Sequence, residues 1–175
     1  MIYYAGHGEL ESTNERGYWL PVEAEPNNDA NWISNTAISD QLNTFKARHI
    51  LVIADSCYAG TLSTASVARQ GQVMNDADRT AWLKVMAEVK ARTVLTSGGV
   101  RPVLDSGRGG HSVFAGALLQ ALRSNESILD GNSLYINVLG DVRRRSREMQ
   151  HEQVPDYGAV KYAGHEAGEF FFLPI

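Results

Sequence analysis

Apolar residues fall along this chain in two rhythms. The first is the short, nearly unbroken run. Ile50-Leu51-Val52-Ile53-Ala54 carries no polar interruption, and Thr93-Val94-Leu95-Thr96 is similar. Such runs read as strands buried on both faces. Met1 to Ala5 and Glu169-Phe170-Phe171-Phe172-Leu173 read as an opening and a closing strand, and Tyr18-Trp19-Leu20 as a short extended piece ended by Pro21. The second rhythm is helical. Ile38, Leu42 and Phe45 predict a helix over 36–46. Asp78 is placed to cap a helix whose inner face holds Trp82, Val85, Met86 and Val89. Ser112 opens a helix with Val113, Phe114, Ala117, Leu118 and Leu122 inward, and Leu134, Val138 and Val142 mark another over 133–149. Between these lie polar stretches at 23–31 and 59–77 and a loop at 97–111 with five glycines. Strands alternating with helices imply an α/β layered fold, a mostly parallel central sheet flanked by helices. There is no internal repeat.

Bulk properties narrow the class. A chain of 175 residues forms one domain with a substantial core. At 43% hydrophobic and 21% charged it has the composition of a globular protein. No apolar run nears the roughly 18 residues of a membrane span, and Met1 leads into Ile2-Tyr3-Tyr4 without the basic region of a secretory signal. The net charge of -4 argues against a general nucleic-acid binder. A single cysteine excludes an intrachain disulfide framework and fits the reducing cytoplasm. The charge is uneven: residues 1–60 hold eight acids against three bases. An acidic surround attracts basic substrates, although acidic surface loops account for the same balance.

Candidate chemistry sits where two strands give way to loops. The first is Tyr3-Tyr4-Ala5-Gly6-His7-Gly8; the second, fifty residues on, is Asp55-Ser56-Cys57-Tyr58-Ala59-Gly60. One supplies an imidazole and the other the only thiol. Together they are the minimum equipment for a cysteine nucleophile with a general base. A lone cysteine is more often a small buried hydrophobe; here the paired motifs reverse those odds.

In order and spacing the two motifs resemble the caspase-like cysteine peptidases, which carry a histidine about fifty residues ahead of the cysteine. The Asp-Ser-Cys reading is similar to metacaspases and bacterial caspase-like proteins, as are Thr96-Ser97-Gly98-Gly99 and Gly109-Gly110-His111-Ser112-Val113-Phe114-Ala115. The resemblance implies a cysteine endopeptidase with protein or peptide substrates, Cys57 as nucleophile and His7 as base and acid. It places the oxyanion hole at the amides of Gly8 and Cys57. It makes Asp55 the pocket carboxylate that selects Arg or Lys at the cleaved position; the plain alternative for Asp55 is a strand-end cap. Asp105 is a second pocket candidate. The elements such folds carry ahead of the histidine strand have no counterpart here, so the resemblance implies either an N-terminally truncated domain or elements that come from elsewhere, and their absence would leave a sheet edge open. That leaves a rival reading, a catalytically silent caspase-like binding or scaffold module. A thiol hydrolase or acyltransferase on another α/β fold is the third.

The remaining features read as ordinary structure. No cofactor is expected. Calcium activates some metacaspases, but Asp76 and Asp78 alone do not make a site. Gly107-Arg108-Gly109-Gly110 lacks the lysine of a phosphate loop. Arg143, Arg144, Arg145 and Arg147 read as a solvated helix face. His49 reads as a surface residue, His111 as part of a helix start and His165 as a loop residue. Arg69 and Arg79, in or beside the polar stretch after the cysteine, are candidate processing sites.

Overall fold

The computed structural model describes residues 1–11, 13, 15–26, 28–64, 74–98 and 110–174. In chain order its elements are β1 (Ile2–Ala5), β2 (His7–Glu11), β3 (Arg16–Leu20), β4 (Ile33–Ser34), α1 (Asn35–Thr44), β5 (His49–Asp55), α2 (Asp76–Glu88), β6 (Ala91–Thr96), α3 (Val113–Arg123), β7 (Leu129–Asp130), α4 (Gly131–Glu148), β8 (Asp156–Ala159) and β9 (Phe171–Phe172). The central sheet runs β1-β5-β6-β8. Its first three strands are parallel, and β8 closes the order antiparallel to β6. A small antiparallel sheet, β2-β3-β4, stands beside it, and β7 pairs with β9.

The unbroken apolar run of β5 reflects burial on both faces. Leu51 and Ile53 join Phe114 and Leu118 of α3 and Leu134, Val138 and Val142 of α4. Ile50, Val52 and Ala54 face the other way, toward Leu42 of α1, Trp19 of β3, and Ala59 and Leu62 of the loop after β5. Alternating side chains of one strand thus hold two helical layers together. Burying each large side chain, such as Leu134, contributes about 1.5–3 kcal/mol.

Several elements depart from the sequence reading, each for a physical reason. Helix α1 ends at Thr44, and Phe45 lies outside it and exposed. The fully buried guanidinium of Arg92 explains the early stop: it donates to the carbonyls of Leu42, Phe45, Ala47, Arg48 and Ala91 at 2.7–3.1 Å. The Leu42 carbonyl accepts from both the guanidinium and the Phe45 amide. Beyond that cap the chain turns extended, so that the Phe45, Ala47 and Arg48 carbonyls reach the same cation. Helix α2 begins two residues before Asp78, because Asn75 is the cap. Its side chain accepts from the Asp78 amide at 2.9 Å and donates to the Asp78 carboxylate at 2.7 Å, a reciprocal cap. Val85 is exposed, and α2 buries no residue fully. The closing strand is only Phe171–Phe172 and pairs with β7 rather than joining the central sheet. Strand β8 carries no strand signal in its sequence: Asp156-Tyr157-Gly158-Ala159 has no apolar run, and only Tyr157 is buried. Helices α3 and α4 match their expected faces. Among the described residues no helix is long and apolar enough to cross a membrane.

Candidate active site

The parallel register between β1 and β5 sets the site. Ala5 stands opposite Asp55, and the Gly6 amide donates to the Asp55 carbonyl at 3.4 Å, one step past the end of β1. His7 and Cys57 each lie two residues beyond that matched pair, at the C-terminal edge of the sheet, where open α/β sheets place their ligands. His7 is exposed and Cys57 is a half-buried free thiol.

Beyond Gly6 the chain turns away as β2, pairing His7 with Leu20 of β3. Tyr4 braces this bend. Its hydroxyl donates to the His7 carbonyl at 2.7 Å and accepts from the Leu20 amide at 3.1 Å. Its ring stacks on Trp19, with centroids 4.2 Å apart and planes 3° from parallel. One phenol therefore holds the histidine segment to both sheets. Gly8 next passes directly over the cysteine loop, where a side chain at its position would collide with the Cys57 carbonyl and the Ser56 hydroxyl. This close backbone approach is the reason glycine stands there.

On the cysteine side the chain leaves β5 and enters a tight turn. Tyr58 adopts φ 57°, ψ 12°, a left-handed conformation that costs a bulky residue about 1–3 kcal/mol. A relay of polar groups offsets that cost. Asn35 Nδ2 donates to Thr61 Oγ1 at 2.6 Å, and Thr61 Oγ1 donates to the Tyr58 carbonyl at 2.9 Å. The Thr61 amide also reaches that carbonyl, at 3.2 Å. Nothing in the local pattern pointed to Asn35, 26 residues away in sequence.

Asp55 is tied to its surroundings. Its carboxylate accepts from Ser112 Oγ at 2.5 Å, and Ser112 is also the N-cap of α3, accepting from the Ala115 amide at 2.8 Å. Tyr3 bonds the same carboxylate. The Tyr3 phenol is pushed up from 10.0 by burial first, then by the Asp55 charge and the hydrogen bond to it. The strand-end tether and the pocket reading therefore concern one and the same group. The sequence pattern marks Ser112 only as a helix start and Tyr3 only as a motif member; their bonds to Asp55 arise in the fold.

Other candidates lie elsewhere. His165 is a loop residue whose Nδ1 accepts from the Arg92 amide at 3.1 Å. His49 is half-buried, its Nε2 3.1 Å from the Val89 carbonyl, which corrects the surface reading. Arg79 is inside α2 with its guanidinium on the Ile128 carbonyl at 2.8 Å, so it is not part of an open stretch. Arg144 and Arg145 pair with Asp141 on the solvated side of α4. Asp76 and Asp78 occupy the first turn of α2. Among the described residues no group of three or more His, Cys, Asp or Glu side chains is arranged to hold a metal ion. Arg69, Asp105 and most of the 97–111 loop lie outside the described residues.

Comparison with known families agrees with this fold. The family model of the caspase domain matches residues 1–162. No curated protein sequence gave a match. A thiol and an imidazole carried past paired parallel strands, on a sheet flanked by helices, accompany a family match over nearly the whole chain: the chain belongs to the caspase-domain family of cysteine peptidases.

Proposed function

We propose that this chain is a cysteine endopeptidase that cleaves after Arg or Lys, with Cys57 as nucleophile and His7 as its proton partner. The observation that carries the reading is the register of β1 against β5, which sets both residues equally far past Ala5 and Asp55. In the reaction the Cys57 thiolate attacks the scissile carbonyl and His7 returns the proton to the leaving amine. The acyl-enzyme is then hydrolysed by water. The amides of Gly8 and Cys57 receive the oxyanion, and the closeness of Gly8 to the Cys57 backbone supports their pairing.

Basic specificity rests on Asp55. A carboxylate pairs with a guanidinium or ammonium and repels an acidic side chain, and the Ser112 and Tyr3 hydroxyls fix the orientation of this one. The Asp55-Ser56-Cys57 reading supports a place in the metacaspase-like branch, and the lone cysteine supports a reducing, cytoplasmic setting.

The test is covalent labelling. A peptidyl-Arg chloromethylketone or acyloxymethylketone should modify Cys57 in the wild type and fail in His7→Ala. The peptidyl-Asp analogue should react far more slowly. Equal labelling by both peptides would overturn the specificity. A Cys57 that resists every peptidyl electrophile yet reacts with a small alkylating agent would mark the chain as a binding module instead.

A further inference from the structure

Ser97 follows directly on β6, within the Thr96-Ser97-Gly98-Gly99 stretch to which the catalytic reading gave no task. It is completely buried, as is Ser56 beside the nucleophile. The Ser97 amide donates to the Ala54 carbonyl at 2.9 Å, extending the parallel ladder by one rung. Past that point the backbone pairing stops, and Ser56 would be left with a buried N–H and a buried C=O. The Ser97 hydroxyl meets both. It accepts from the Ser56 amide at 3.1 Å and donates to the Ser56 carbonyl at 3.4 Å. Ser97 is held in turn by buried Gln153, whose Nε2 donates to the Ser97 carbonyl at 2.8 Å.

The carbonyl of Ser56 and the amide of Cys57 belong to a single peptide unit. That unit is planar and trans, so its N–H points opposite its C=O. Fixing one end aims the other, and a hydrogen bond to the carbonyl polarises the N–H into a better donor. We infer that Ser97 is a positioning residue: its hydroxyl, braced by Gln153, orients the Cys57 amide toward the substrate's developing oxyanion. The inference rests on the proposed peptidase reading for its catalytic consequence and on the hydrogen bonds alone for its structural one. Ser97 touches no substrate and takes no proton.

The experiment compares wild type with Ser97→Ala and Ser97→Thr. Turnover of a P1-Arg peptide should lose about 10–100-fold in kcat in Ser97→Ala, the scale set by misplaced transition-state groups, with KM within about threefold. Alkylation of Cys57 by iodoacetamide, which develops no oxyanion, should stay within about threefold, since only the amide is affected. Ser97→Thr keeps the hydroxyl and should recover most of the lost kcat. Amide exchange at Ser56, whose N–H the Ser97 hydroxyl accepts, should quicken at least about tenfold in Ser97→Ala while the middle of β5 stays protected. Unchanged kcat per titratable thiol, or alkylation falling in step with kcat, would overturn the inference. If Ser97→Ala does not fold, Gln153→Met should give the same pattern at smaller amplitude, and its absence there overturns the inference as well. A wild type that turns over no peptide would sink the peptidase reading; the Ser56 exchange rate then still decides whether Ser97 holds the backbone that leads into Cys57.

Discussion

Gly8 lies against the backbone of Cys57 so closely that a Cβ at position 8 would fall well inside the contact distance of the Cys57 carbonyl oxygen. Two segments fifty residues apart in sequence thus meet backbone to backbone, with His7 and Cys57 carried on either side of the contact. A methyl group there has to push the histidine segment off the cysteine loop, because its neighbours are main-chain atoms and a short, buried serine. Gly8→Ala should therefore lower kcat/KM by about 100-fold or more while leaving the far side of the sheet intact. Steady-state kinetics set beside a thermal melt check this. A fully active Gly8→Ala would mean the two loops separate without consequence.

Cys57→Ala and His7→Ala should each abolish peptide cleavage, and the double variant should be no worse than either. Residues that act as one unit lose their function once, not twice. Multiplied losses in the double variant would show that the two act separately.

Asp55→Asn should depress cleavage after Arg by a factor corresponding to about 2–5 kcal/mol, the cost of leaving a buried charged partner unpaired. Thiol alkylation should be spared. A P1-Asp peptide should be poor in the wild type because two carboxylates would face each other. The amide that replaces the carboxylate keeps one oxygen to which the Ser112 hydroxyl can still donate, so α3 keeps its cap and the fold should survive. Fluorogenic P1-Arg, P1-Lys and P1-Asp peptides on both proteins decide the matter. Preference for Asp in the wild type would overturn basic specificity.

Arg92→Met should destabilise the chain by on the order of 4 kcal/mol or more, because it strips buried carbonyls of their donors. Arg92→Lys should rescue little: an ammonium has three donors, and its charge is compact. Urea denaturation measures both. A near-wild-type midpoint for the lysine variant would show that charge alone suffices.

Glu169 provides a pH-dependent prediction. Burial pushes its carboxyl up from 4.5, against the lowering influence of hydrogen bonds from Tyr157 and the Phe170 amide. A raised folded value means the native state holds the proton more tightly than the unfolded chain. This contribution to stability is complete below pH 4.5 and fades as pH rises through the raised value. Glu169→Gln retains an oxygen acceptor for both donors and removes the buried charge. It should raise the melting midpoint near pH 7 by about 2–4 °C, as about 1 kcal/mol does in a chain of this size, and by much less at pH 4. An equal gain at both pH values would place the effect outside this titration.

Local pattern determined a good part of this protein. Unbroken apolar runs located β5 and β6, helical spacing located α3 and α4, and the two motifs at strand ends pointed to His7 and Cys57, because each of these signals is written in consecutive or periodically spaced residues. Short elements escaped. Strand β8 buries one side chain, too few to show a period, and β2 exists only because β3 pairs with it. Tertiary structure alone decided how long α1 is, since the stop is a guanidinium arriving from β6. It alone decided that Tyr4 braces the His7 bend, that Asn35 supports the left-handed Tyr58, and that Ser112 and Tyr3 hold Asp55. These are hydrogen bonds made by groups brought together only when the sheet closes. A polar side chain shows in sequence what it can donate or accept; folding supplies the partner.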